Sequence, residues 1–341
     1  MPRLTAQDDY FHPRPPGEPF WNEASWFSFM VPERDLSGFV YLYHRPNIGY
    51  TVGGIAAWDP TGAENYDCLV YDWGEGYQTP DDAEMFDFTL GNGLTVQLVE
   101  PLSHYRFCYR GQTAFNADVA LDLEFIADRP PHDAGFPDGL DEWGKGHYDQ
   151  LGRMTGTLAL DGEVIDIDCV AQRDRSWGVR DIVNNPRGQM IWAVGEQSSF
   201  HALAVSFRKP QQDPVIGTAE DIIIGYYLRD GRYGDLTLAP GNTIAVTERD
   251  ATGRPVTYRI DATDSLGRHL HATGRVRNML NWQGYSWLTT FWSLVEWQLD
   301  GDTVLGEGQD YWPLHHSRTF LRSRAAQATV SPTESNGRRV S

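Results

Sequence analysis

The sequence predicts an all-β protein that closes its edges as barrels or sandwiches. Three observations carry this prediction. Apolar residues recur mostly with period two, turn dipeptides interrupt that pattern about every ten residues, and no stretch shows an apolar stripe at helical spacing. So many short strands leave edges that must be closed or covered.

Taken in order, the segment Met1–Pro19, with Pro13, Pro15, Pro16 and Pro19, reads as an extended arm packed across a first domain. Strands are expected at Gly38–Tyr43, Tyr50–Trp58, Tyr66–Trp73, Leu94–Val99, Tyr105–Tyr109 and Ala117–Phe125. Between Ala127 and Gly146 the alternation is lost in a run of Pro, Asp, Gly and His, a long connection that places a domain boundary near residue 145. The domains are then 1–145 and 146–323.

In the second domain three Asp-Gly pairs mark hairpins, because this dipeptide accepts the positive backbone dihedrals of primed turns. They are Asp161-Gly162 between Thr157–Leu160 and Glu163–Cys169, Asp230-Gly231 after Ile222–Leu228, and Asp300-Gly301 between Trp287–Leu299 and Thr303–Tyr311. Further strands are expected at Met190–Glu196, His201–Phe207, Thr243–Arg249, Val256–Asp261 and Leu270–Val276. Residues 324–341, rich in Ser, Arg and Thr without periodicity, read as a disordered tail.

Composition excludes several function classes. Forty-seven acidic residues against 28 basic ones give a net charge of −19, spread along the chain, which disfavours nucleic-acid and anionic-membrane partners. Cys68, Cys108 and Cys169 are odd in number and widely separated, fitting a reducing compartment and no disulfide framework. Without a secretory leader or a membrane-length apolar run, the expected location is cytoplasmic, with no membrane insertion. No glycine-rich nucleotide loop and no nucleophile elbow is present, and no cofactor or metal is expected. His269 and His271 share a strand face but lack a third ligand by spacing; His315 and His316 are expected at the surface.

Three constellations can carry chemistry. In Gln172–Asp181, Arg173, Arg175 and Trp177 share one strand face while Asp174 and Ser176 share the other. Asp174 is either an acid or base tuned by its arginines, or part of an ion-pair network that pins two barrels together. His147 and Asp149, two apart, either line a site or form a polar strand entering a barrel, and His201 is a possible titrating partner. In Gln283–Leu299, Glu296 is the one acid on a largely apolar face; turned inward, it would be a desolvated proton donor. Trp282, Trp287, Trp292, Trp297 and Trp312, five of the twelve tryptophans, crowd this region as core or cavity wall.

On these residues the chain resembles the hydroxyneurosporene synthase (carotenoid 1,2-hydratase) and AttH-like superfamily. The resemblance runs over roughly 15–320 through Asn22–Phe27, Gly38-Phe39, Arg45-Pro46-Asn47, His147–Gln150 and, above all, Arg173–Gly178. It implies two consecutive lipocalin-like antiparallel β-barrels around an apolar cavity, and addition of water to isolated double bonds of isoprenoids. Related folds hydrate a prenylated flavonoid or cyclise polyenes. Asp174 and Trp177 carry over; Arg175 stands where the hydratases have histidine, and Ser198–Leu203 offers only His201 where they have a tyrosine and aspartate pair.

The expected activity is therefore a cofactor-independent hydratase or dehydratase acting at a C=C bond of a bulky lipophilic partner, a terpenoid, steroid or polyketide. The catalytic candidates are Asp174, Arg175, Glu296 and His201, and the substrate-binding ones Trp177, Trp192, Trp282, Trp287, Trp292, His147 and Asp149. A pericyclase or isomerase of the same fold and a non-catalytic lipophile carrier are the alternatives.

Overall fold

A computed structural model describes residues 4–113, 117–133, 135, 145–180, 187–208, 218–285 and 287–330, with side chains to 324. The first eleven strands are β1 (Trp21–Val31), β2 (Leu36–Arg45), β3 (Tyr50–Trp58), β4 (Val70–Asp72), β5 (Gly76–Gln78), β6 (Phe88–Thr89), β7 (Thr95–Glu100), β8 (His104–Gln112), β9 (Asp118–Ala127), β10 (Gly146–Leu160) and β11 (Glu163–Val179). They form one antiparallel sheet ordered β4-β3-β2-β1-β11-β10-β9-β8-β7-β6, with β5 also on β3. The sheet curls so far that the Asn92 side chain beside β7 donates to the Gly53 carbonyl of β3 at 3.0 Å.

The remaining strands are β12 (Gly188–Val194), β13 (Ser198–Val205), β14 (Ala219–Arg229), β15 (Arg232–Asp235), β16 (Thr243–Arg249), β17 (Pro255–Thr263), β18 (His269–Tyr285), β19 (Leu288–Leu299) and β20 (Asp302–Pro313). Pairing of β13 with β14 closes the ring β13-β12-β20-β19-β18-β17-β16-β14 into an eight-stranded barrel. All three Asp-Gly pairs turn as expected, with φ near 51° at Asp161, Asp230 and Asp300. The chain is thus all-β.

Three expectations are corrected. The change of sheet falls after Val179, not at residue 145, because β10 and β11 pair with β9 and β1 of the first sheet. β1 has no counterpart among the expected strands: all but its last residue are buried, so both faces carry apolar side chains and the alternation disappears. Residues 314–330 form a helix, α1 (Leu314–Val330), so the tail is structured through 330; residues 331–341 lie outside the described ones. α1 docks through Phe320, its ring 5.4 Å from that of Trp312, and through His316, buried rather than at the surface. Among the described side chains of α1 the buried ones are His316 and Phe320, four residues apart, too few to mark a stripe in the sequence.

The arm packs on the first sheet and supplies its deepest charge. Asp9, fully buried, accepts from both terminal nitrogens of Arg173 at 3.0 and 3.1 Å, from Tyr148 Oη at 2.8 Å, and from Tyr105 and the Leu102 amide. Burial pushes its carboxyl up, but Arg173 and these donors hold it below the usual range. The guanidinium is sandwiched between Tyr105 and Tyr148, 4.4 and 5.0 Å from their ring centres. Asp9→Ala strands that cation, so the expected loss is about 3–5 kcal/mol in denaturant unfolding, and pairing Asp9→Leu with Arg173→Met should recover most of it. Equal stability of Asp9→Ala and wild type would contradict the role given to the arm.

Candidate active site

Register along β11 builds the site. On the face turned away from the Asp9 cluster, Asp174 lies opposite Asp149 of β10 and Trp26 of β1, while Ser176 lies opposite His147 and Ala24. Residues directly opposite share a face, so two carboxylates and an imidazole meet beside an aromatic wall.

A buried chain of titratable groups results. His147 Nδ1 is 3.3 Å from Asp174 Oδ2, and its Nε2 is 2.8 Å from Asp149 Oδ2. The same Asp149 oxygen lies 2.9 Å from Nδ1 of His201, which arrives from β13 of the second sheet, and Gln172 donates to the other Asp149 oxygen at 3.0 Å. One carboxylate oxygen shared at such distances between two imidazoles is hydrogen-bond spacing. His147, Asp149 and His201 also have the donor types of a metal site, with one ligand atom of each within 4.8 Å of the others.

The electrostatics divide these acids. Burial would neutralise Asp149, but His201 and His147 hold its carboxyl well below the usual range. Burial works against a charged His147, yet Asp149 and Asp174 raise it to about 9. For Asp174 burial dominates and the Asp149 charge adds to it; His147 offsets only part, and the carboxyl rises to about 6. Asp174 is thus the member that can hold a proton near neutrality.

Asp174 and His147 open on a cavity of about 180 Å³ between the two sheets. Trp282, Trp287 and Trp292 line it, together with Trp26, Tyr41 and Tyr285. Trp292 stacks on Phe39 at 4.7 Å and meets Trp26 edge-on at 5.5 Å, and the Tyr41 and Tyr285 hydroxyls are 2.7 Å apart. The sequence does not mark Trp26 or Tyr41 as lining residues, because β1 and β2 are buried almost throughout and neither strand shows which face meets the cavity.

Six of the residues singled out in the sequence sit elsewhere. Arg175 and Trp177 project from the opposite face of β11: Arg175 pairs with Glu23 at 2.5 Å, and Trp177 stacks on His12 of the arm at 3.8 Å. Burial raises the Glu23 carboxyl less than Arg175 and His12 lower it, to about 2. Glu296 shares a face with Trp292, but near the strand end that face reaches solvent, and Glu296 pairs with Arg277 at 2.9 Å. Trp192 is fully buried and off the cavity, its indole 3.2 Å from Glu307. His269 and His271 are exposed, the latter paired with Asp261.

Glu307 of β20 is the desolvated acid that Glu296 is not. Its Oε2 accepts from the indoles of Trp192 and Trp292, and burial pushes its carboxyl up to about 8 against both donors. Because the folded value exceeds the ordinary 4.5, the native state gains a proton on folding between these limits, and stability falls as pH rises from 4.5 toward 8. Glu307→Gln keeps an acceptor for the indoles and removes the titration. Thermal unfolding across this range should show the variant gaining on wild type steadily, by a few kcal/mol at the top; parallel curves would refute the assignment.

A family model described as Domain of unknown function (DUF7064) matches residues 5–308. No curated protein matches the chain. Among solved structures, an AttH candidate from Nitrosomonas europaea is 16% identical, with TM-score 0.64 over 91% of this chain and 97% of that one. Kievitone hydratase from Nectria haematococca is 15% identical (TM-score 0.48, covering 91% and 92%), and CghA solved with Sch210972 is 14% identical (0.47, covering 86% and 88%). The first likeness shows the fold, an AttH-like lipocalin-type architecture. Since the family model spans both sheets and nearly all the residues that build the cavity, the chain belongs to the DUF7064 family.

Proposed function

We propose that the protein is a cofactor-independent hydratase or dehydratase that adds water to, or removes it from, a C=C bond of a bulky lipophile such as a terpenoid, steroid or polyketide. The observation that carries this reading is a buried carboxyl on the wall of an aromatic cavity whose pKa burial raises to about 6, so that it keeps its proton in mildly acidic solution and a fraction of it at neutrality. Protonating an isolated alkene needs such an acid in a dry site, and the faces of Trp26, Trp282 and Trp292 shelter the cation that forms. In the hydration direction Asp174 gives its proton to one alkene carbon, water bonds to the other, and the proton that water sheds returns to Asp174. His147, charged and anchored on Asp149, orients that carboxyl, and His201 holds Asp149 from the second sheet.

A pericyclase or a carrier of the same fold needs a shaped cavity but no titrating chain behind it, so the relay favours proton transfer. Three scattered cysteines favour a reducing, cytoplasmic setting and the acid excess disfavours nucleic-acid partners; among the described residues no helix is long and apolar enough to cross a membrane.

The test is incubation with terpenoid, steroid and polyketide alkenes in H₂¹⁸O, following the mass gain of one labelled water. Asp174→Asn is expected to lower the rate about 10²–10⁴-fold, while Glu296→Gln leaves it unchanged. Because the working form is protonated, the rate should fall as pH rises through about 6. A folded Asp174→Asn protein with full turnover would sink this reading.

A further inference from the structure

Two arginines line the cavity, Arg45 and Arg180, and among the described residues neither makes an ion pair. The fully buried arginines behave otherwise: Arg173 has Asp9, Arg175 has Glu23 and Arg187 has Glu220. In a chain with 47 acidic residues to 28 basic ones, two arginines left unpaired at one cavity need a reason.

The unused hydrogen-bonding capacity there has one sense. Arg180 Nη2 donates to Ser176 Oγ at 2.9 Å, but its Nε is buried with no partner. Trp287 Nε1 and Gln309 Nε2, from other cavity-lining residues, are likewise buried and unpartnered. All three are donors, as is the equally buried and unpartnered Nε1 of Trp282, and among the described residues no lining side chain leaves an acceptor in that state. Buried donors left unmade cost free energy, so they mark where a ligand brings acceptors.

We propose that the ligand of this cavity is a lipophilic anion, an apolar body bearing a carboxylate-type head group that the Arg180 guanidinium receives, with Arg45 adding charge at the cavity wall. The planar guanidinium fork matches the two oxygens of a carboxylate, and the aromatic wall takes the apolar remainder. The inference rests on the cavity being the substrate site and narrows the lipophile to an acid. It also links head group to chemistry: Arg180 favours ionised Asp174, and a bound anion would cancel that influence, leaving Asp174 better able to keep its proton while substrate is present.

Calorimetric titration of the full chain with 2-naphthoate and its neutral isostere 2-naphthamide tests this without turnover. Wild type is expected to bind the acid about tenfold more tightly than the amide. Arg180→Gln should bring the two within about twofold while leaving the amide unchanged, and Arg180→Lys, which keeps the charge but loses the fork, should fall between. Equal affinities in wild type, or a preference that survives Arg180→Gln, would overturn the inference and leave the hydratase reading standing. Failure of both ligands to bind would overturn the inference together with the lipophile cavity on which that reading rests.

Discussion

The buried pair Asp9 and Arg173 is the constraint on which much of the molecule turns. A guanidinium among Phe27, Phe86, Tyr105 and Tyr148 is tolerable only with its charge answered, and the answer comes from an arm more than 160 residues away in sequence. Meeting that demand seats the arm, and the arm in turn places His12 against Glu23 and Trp177. With one face of β11 locked in this way, the other must present Asp174 and Ser176 between the sheets.

Acidity in this protein is a matter of who stands opposite whom. Asp149 and Asp174 are direct cross-strand neighbours, so two carboxylates compete for one region of low dielectric. The imidazoles settle the competition by both leaning on Asp149, and Asp174, on the cavity side, is the one of the two that takes up a proton first as pH falls. Glu307 is raised further, to about 8, by plain burial, with two indoles as its company, but behind Trp292 rather than on the cavity wall. Two acids can thus be raised for different reasons and have different access to a ligand.

What could be read from the letters followed the physics of strands. Asp-Gly turns and half-buried strands such as β9 and β17 alternate visibly, and so does the split of Arg173, Arg175 and Trp177 from Asp174 and Ser176. Strands covered on both faces, β1 and the start of β10, carry no alternation, which hid Trp26 and put the boundary too early. The pairing of His201 with Asp149 joins separate sheets and has no local signature. Glu296 misled because a strand face is not one environment: it begins against the first sheet at Leu288 and Trp292 and ends in solvent at Gln298.

The place of β11 also governs how the chain can emerge and fold. β1 pairs with β2 at once, but its other edge waits for a partner so distant that Ser25 and the Asp174 carbonyl it binds are 149 residues apart. Until residue 179 leaves the ribosome, β1 presents an unpaired edge and two apolar faces, the condition in which strands associate with the wrong partner. Completing the first sheet is then a late, long-range closure of the kind that slows β-rich folding. The strand that organises the candidate active site is, for the same reason, the step at which synthesis of this protein is most exposed to aggregation.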